Sequence, residues 1–256
     1  VEIDRPDRYA ACQGGASAHS GHAPGLGGDP VYRDDGLPVA ATTEGLSAGF
    51  DRRHYFYRMR EDGTFTVINE LLSVASRIVE GRNGDPTAAI IDSQSVKTTD
   101  SGGVSGYDAG KKINGRKRHV TVDTQGNLLS AGVHGAGIHD RDGAPGIIAD
   151  TLDSFPGVAT IFADGGYAGD KLHCAMLDLE PSPAIGIVRR PSKATGFVVI
   201  ARRWVIERTF AWLGRCRRLA KDWEQTTPSS EAWLLIAAIR RVARFIARQG
   251  NAAAEF

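Results

Sequence analysis

The chain has 256 residues, 41% of them hydrophobic and 24% charged, with a formal net charge of +1. These proportions suit one mid-sized globular domain with an appendage. They exclude a helical membrane span, because no apolar run is long enough to cross a bilayer, and a disulfide scaffold, because Cys12, Cys174 and Cys216 are odd in number and far apart. No charged stretch followed by an apolar one marks a secretory signal, and a reducing cytoplasm fits the cysteine usage. The near-zero charge hides an asymmetry. Bases concentrate at 111–119, 189–193, 202–221 and 240–248, while acids are spread along the chain. Such clusters in a neutral chain point to a polyanion-binding surface.

In chain order, residues 1–53 are rich in Gly, Ala, Asp and His, contain no Lys and show no sustained period, which predicts disorder. Helix-like spacing of Tyr55, Phe56, Met59, Phe65, Ile68, Leu71 and Leu72 predicts short helices over 54–60 and 64–80, with a turn at Glu61-Asp62-Gly63. After a loop to Pro86, Ala88 to Ile91 reads as a buried strand with Asp92 at its end. A Gly-rich loop (98–110) and a basic segment (111–118) lead into an alternating strand over 119–124. A turn at Gln125-Gly126-Asn127 and a return strand over 128–134 complete a hairpin.

A helix over 141–152 follows, with Asp140 and Asp142 as caps. The apolar strand 158–163 ends in Asp164, and Gly165-Gly166 breaks the chain before a helix over 167–179. A strand over 184–188 precedes a long basic helix, and Thr227-Pro228 opens a last helix over 228–248, with a tail at 249–256. The order predicts an α/β chain: a mixed five-stranded sheet over 87–248, flanked by helices on both faces.

The stretch Ala201–Trp223 predicts one amphipathic helix. Ile206, Phe210 and Leu213 lie on one line, and Val205, Trp212, Cys216 and Leu219 on another. Trp204 and Trp212 read as core. Arg203, Glu207, Ala211, Gly214 and Arg218 share a face, so Glu207 is an acid with small residues beside it and arginines above and below.

Asp92 and Asp164 end apolar strands, where ligands bind in open α/β sheets. Adjacent strands lie roughly 5 Å apart, so these carboxylates converge if their strands are neighbours, and Glu207 can reach the same point from a helix packed across the sheet. Three carboxylates without His or Cys are hard oxygen donors suited to Mg²⁺ or Mn²⁺ rather than zinc.

Five segments carry a family likeness: IDSQSVKTT (91–99), GYDAGKKINGRKRHVTVDT (106–124), IHDRDGAP (138–145), FADGGYAGDKL (162–172) and RRWVIERTFAWLGRCRRLAKDWE (202–224). Together they resemble the DDE transposases of bacterial insertion sequences, most closely the insertion sequence five group, over residues 55–248. The resemblance implies an RNase H-like fold and two Mg²⁺ or Mn²⁺ ions on Asp92, Asp164 and Glu207. It also implies DNA as substrate, cleaved at the element's ends and joined to target DNA, by a homodimer acting on the nucleoid in the cytoplasm.

Arg203 matches the family's arginine four residues before the glutamate. Phosphate contacts are expected from Lys111, Lys112, Arg116, Lys117, Arg118, Arg203, Arg215 and Arg218. Related transposases carry a Tyr three residues before that arginine and a Lys seven after the glutamate, where this chain has Ile200 and Gly214. Residues 1–53 do not resemble the helical region that reads element ends. Their composition fits a shifted reading frame or a truncated DNA-binding region, and the alternative function is a transposase remnant that binds DNA without transposing it.

Overall fold

One strand, β1 (Ala88–Lys97), organises the molecule. The structure is a computed structural model and describes residues 43–100, 103–189 and 201–254. Before β1 come α1 (Thr43–Glu61) and α2 (Thr64–Val79). After it follow β2 (Gly106–Asp108), β3 (Ile113–Asp123), β4 (Leu128–Gly135), α3 (Asp140–Ser154), β5 (Thr160–Ala163), α4 (Asp170–Leu177), β6 (Ala184–Ile187), α5 (Ala201–Gly214) and α6 (Thr227–Ala254). The sheet runs β2-β3-β1-β5-β6, with β4 also paired to β3. β1 is antiparallel to β3 and parallel to β5, and β5 is parallel to β6.

Alternation along the strands builds two cores. Ala89, Ile91, Ile161 and Ala163 pack with Ile148 and Leu152 of α3 and Leu172 and Met176 of α4. Ile90, Phe162, Val120 and Val122 face the other way, onto Ile206, Phe210 and Leu213 of α5 and Leu234 and Ala238 of α6. Helices cover both faces, so the paired stretches 88–91 of β1 and 160–163 of β5 read as apolar runs. This is a mixed sheet flanked by helices, consistent with an RNase H-like fold.

Several boundaries move. α1 begins at Thr43, ahead of the order expected from His54; residues 1–42 lie outside the described residues. The sheet has six strands, because β2 forms in the expected loop and pairs with the start of β3. β1 continues through Asp92 to Lys97 because its ladder with β3 runs from Ala89↔Asp123 to Lys97↔Gly115. Backbone pairing, not side-chain polarity, sets that end. α5 stops at Gly214, and a 3-10 turn spans Arg217–Leu219, so Arg218 leaves the Glu207 face. α6 runs on to Ala254 through the expected tail. Trp204 is 43% exposed rather than core.

The largest correction concerns Arg116, Lys117 and Arg118, which were expected to meet phosphate. All three are buried in β3 and point to alternate faces. Arg116 ion-pairs with Asp222 at 3.2 Å, Lys117 pairs with Asp140 at 2.7 Å, and Arg118 donates to the carbonyls of Leu219 at 2.7 Å and Lys221 at 3.0 Å. These cations clamp covering segments onto the sheet. They are closed to solvent.

Glu231 of α6 accepts the Val133 N–H at 2.8 Å, and burial pushes its carboxyl up to about 7 against that hydrogen bond. A carboxyl with a raised folded value contributes most stability below its unfolded value of 4.5 and loses it as pH rises through about 7. Urea unfolding between pH 4.5 and 8 is therefore expected to show a fall on the order of 2 kcal/mol from this group. Glu231→Gln should flatten it; an unchanged slope would assign the pH dependence elsewhere.

Candidate active site

β1 and β5 pair in parallel from Ala88↔Thr160 to Ile90↔Phe162. Continuing that register places Asp92 beside Asp164. Ile90 and Phe162 both face α5, so by the two-residue period of a strand the two carboxylates do as well. They line a narrow cleft with Ile90, Phe162, Arg203 and Ile206.

The environments of the two acids differ. Burial raises the Asp92 carboxyl to about 6. The Ser93 N–H, bonded to its Oδ1 at 2.7 Å, lowers it, the Asp164 charge raises it further, and the charges of Lys111 and Arg203 lower it. Asp164 caps the 3-10 turn Gly165–Tyr167 by accepting the Gly166 N–H at 2.8 Å.

Glu207 stands on α5 with its side chain 53% exposed, one turn beyond Arg203. The same Arg203 nitrogen lies 3.7 Å from Glu207 Oε1 and 3.9 Å from Asp164 Oδ2. The two carboxylates are therefore separated by less than twice that reach. Among the described residues no three His, Cys, Asp or Glu side chains close on one point tightly enough to hold an ion. Asp92, Asp164 and Glu207 are thus a set of three candidate donors, with Arg203 between Asp164 and Glu207. The chemistry of the set, carboxylate oxygen only, fits a hard divalent cation.

The remaining basic residues divide. Lys111 is an exposed residue whose Nζ donates to the Ser93 carbonyl at 3.2 Å, beside Asp92. Lys112, at a φ of 54°, and Arg215 are exposed. Arg218 pairs with Glu224 at 2.6 Å and lies over the Trp233 ring. A groove of about 710 Å³ between Arg217–Leu219 and α6, lined by Trp223, Trp233 and Arg240, has no carboxylate and lies apart from the acids.

On the α3 face beneath the acids is a polar layer that the sequence reading missed. Tyr167 is 1% exposed and its hydroxyl lies 2.8 Å from His119 Nε2. His134 has Nδ1 against the Gly135 carbonyl at 3.1 Å, which makes its Nε2 the acceptor for His119 Nδ1 at 3.4 Å. His119 Nε2 is then left to accept the tyrosine proton. Burial, then the charges of Asp92, Asp140 and Asp164, push the Tyr167 hydroxyl far up, and burial, with His134 beside it, lowers His119 to about 3. Tyr167 is thus a neutral donor fixed among three aspartates. The available signal was positional: Ser93, Asp140 and Tyr167 sit inside the segments quoted above, in or beside apolar runs.

A family model described as the transposase DDE domain matches residues 83–241, a span that includes Asp92, Asp164 and Glu207. The chain belongs to the transposase DDE domain family. A protein of Burkholderia cepacia named as the transposase for insertion sequence element IS402 is 30% identical over 128 residues, covering 47% of this chain and 59% of that protein. The chain thus spans about three-fifths of that relative's length. The DDE domain's matched span begins just before β1 and ends within α6, so it takes in the whole sheet and both cores. Among the described residues no helix is long and apolar enough to cross a membrane.

Proposed function

We propose that the chain acts as a transposase of the insertion sequence five group, cutting DNA at the element's ends and joining the freed 3′-hydroxyl to target DNA, as a homodimer on DNA. The observation that carries this reading is the β1/β5 register, which supports Asp92 and Asp164 as a side-by-side carboxylate pair facing the helix that bears Glu207. Asp92 and Asp164 would hold two Mg²⁺ or Mn²⁺ ions, with Glu207 completing the set. When bound, such ions activate the attacking oxygen and stabilise the leaving oxygen of a phosphodiester.

The protein's own groups do the rest. Arg203 offsets the mutual repulsion of Asp164 and Glu207. Lys111, Lys112, Arg203 and Arg215 present positive charge to the phosphate chain, and the buried face of the cleft, Ile90, Phe162 and Ile206, excludes bulk water behind the carboxylates.

The test is incubation with Mg²⁺ or Mn²⁺ and labelled DNA carrying the terminal repeats that flank the gene, beside Asp164→Asn. Metal-dependent nicking and joining, abolished by the substitution, is the expected result. A mobility shift without cleavage would instead mark a DNA-binding remnant, and cleavage without joining a nuclease.

Affinity should also depend on salt. Replacing Lys112 and Arg215 by Ala is expected to reduce the slope of log K against log salt by about 2, read by fluorescence anisotropy over a sodium chloride series. An unchanged slope would remove both from the DNA-facing surface.

A further inference from the structure

We propose that Asp140 is a positioning residue for the reaction: from the α3 face of the sheet, with Lys117, it fixes Ser93 and through it the Asp92 carboxylate on the α5 face. The inference rests on the reading of Asp92 and Asp164 as the metal-holding pair.

An acid in the first turn of a helix ordinarily complements the helix dipole or caps the end. Asp140 does neither by side-chain bonding. The N-cap of α3 is His139, with no side-chain cap hydrogen bond, and the Asp140 carboxylate turns into the sheet. Its Oδ1 accepts Ser93 Oγ at 2.7 Å and Lys117 Nζ at 2.7 Å. Lys117 is itself held, donating to the Ile138 carbonyl at 2.6 Å and lying 3.9 Å from Asp108 Oδ2. The cation cannot swing away without leaving a buried charge unpaired.

Ser93 is the link between the two faces. Its hydroxyl points to Asp140, and its backbone N–H meets Asp92 Oδ1 at 2.7 Å. The strand's alternation sends the neighbouring side chains to opposite faces, so one residue connects the α3 brace to the α5 cleft.

The other Asp140 oxygen faces the second acid's turn. A Cβ built on Gly166 would sit 4.0 Å from Asp140 Oδ2 and 3.0 Å from Asp164 Oδ1. Asp140 therefore lies against both segments that carry the pair, without being one of the two carboxylates that line the cleft. Residues that orient ligating carboxylates in this way typically cost about 10–100-fold in metal affinity or activity when removed.

The test uses the full chain. Mn²⁺ binding is followed by electron paramagnetic resonance in the absence of DNA, and nicking kinetics are measured beside it. Asp140→Asn and Ser93→Ala should each weaken Mn²⁺ affinity by about 10-fold or more and lower kcat with KM for DNA unchanged. Ser93→Thr, which keeps the hydroxyl, should restore both. Asp142→Asn, which loses only a surface pair with Lys171, should match wild type.

Wild-type Mn²⁺ affinity and kcat in Asp140→Asn would overturn the inference. So would losses in Ser93→Ala that Ser93→Thr does not recover, since these would mark a packing role. If Asp92→Asn abolishes Mn²⁺ binding while Asp140→Asn does not alter it, the inference fails alone. If the wild type binds no Mn²⁺, the underlying reading falls and takes the inference with it.

Discussion

Asp92→Asn and Asp164→Asn are each expected to lower the rate of metal-dependent DNA nicking by at least about three orders of magnitude, because the site works by stabilising charge. Neither substitution should unfold the protein. Asn at 164 can still accept the Gly166 N–H that caps the 3-10 turn. At position 92 the change should even stabilise. Burial raises the Asp92 carboxyl from its ordinary 3.8 to about 6, so its ionised form costs stability as pH rises through that interval, and the cost is fully present at pH 7. An uncharged amide removes it. Thermal melting of Asp92→Asn at pH 7 is therefore expected above wild type, with activity lost. Near-normal nicking by either variant would remove the carboxylate pair from the mechanism, whatever the stability showed.

Arg116→Met should destabilise the fold by about 3–5 kcal/mol, the usual cost of stripping one partner from a buried ion pair. Arg116 has no exposed side-chain surface and Asp222 almost none. Its guanidinium donates to the Val104 carbonyl at 2.6 Å, the Glu224 carbonyl at 2.7 Å, the Gln225 carbonyl at 2.7 Å, and Asp222 and Ser230 at 3.2 Å each. Removing it leaves Asp222 charged and buried and three carbonyls short of a donor. Lys is not expected to rescue, because one ammonium cannot reproduce the planar fork. Replacing Arg116 and Asp222 together by apolar residues should cost less than the sum of the single changes. Urea unfolding of the four proteins reads the result. A loss under about 1 kcal/mol for Arg116→Met would mean the pair is solvent-screened and would reopen a DNA-facing role for this residue.

These two expectations mark the border between what was legible in the chain and what was not. The apolar runs at 88–91 and 158–163 identified β1 and β5, and the acid after each marked the positions that line the candidate cleft. That much needs only local pattern, since a strand segment packed on both faces against apolar side chains is itself an apolar run. The α5 pattern likewise placed Ile206, Phe210 and Leu213 in the core, where they are buried.

The basic run misled for a physical reason. Exposed and buried cations look alike in a sequence, and burial becomes tolerable only when an acid or carbonyl arrives to pair with it. For Arg116 that acid is 106 residues further along the chain. Lys117 depends on α3 and Arg118 on the segment after α5. Nothing near them in the chain announces those partners. The same holds for Asp140. Its place at a helix start suggests a cap, and only the packing of α3 against β1 and β3 turns it toward Ser93.

The chain alone determined the order of the elements other than β2, the aspartates that follow two apolar strand runs, and the helix that presents Glu207, because each follows from side-chain periodicity within one segment. The tertiary structure decided which strands are neighbours, which charges are enclosed and which remain exposed to solvent. Those outcomes depend on contacts between segments far apart in the chain, and the energy of a charge is set by what surrounds it rather than by its neighbours in sequence.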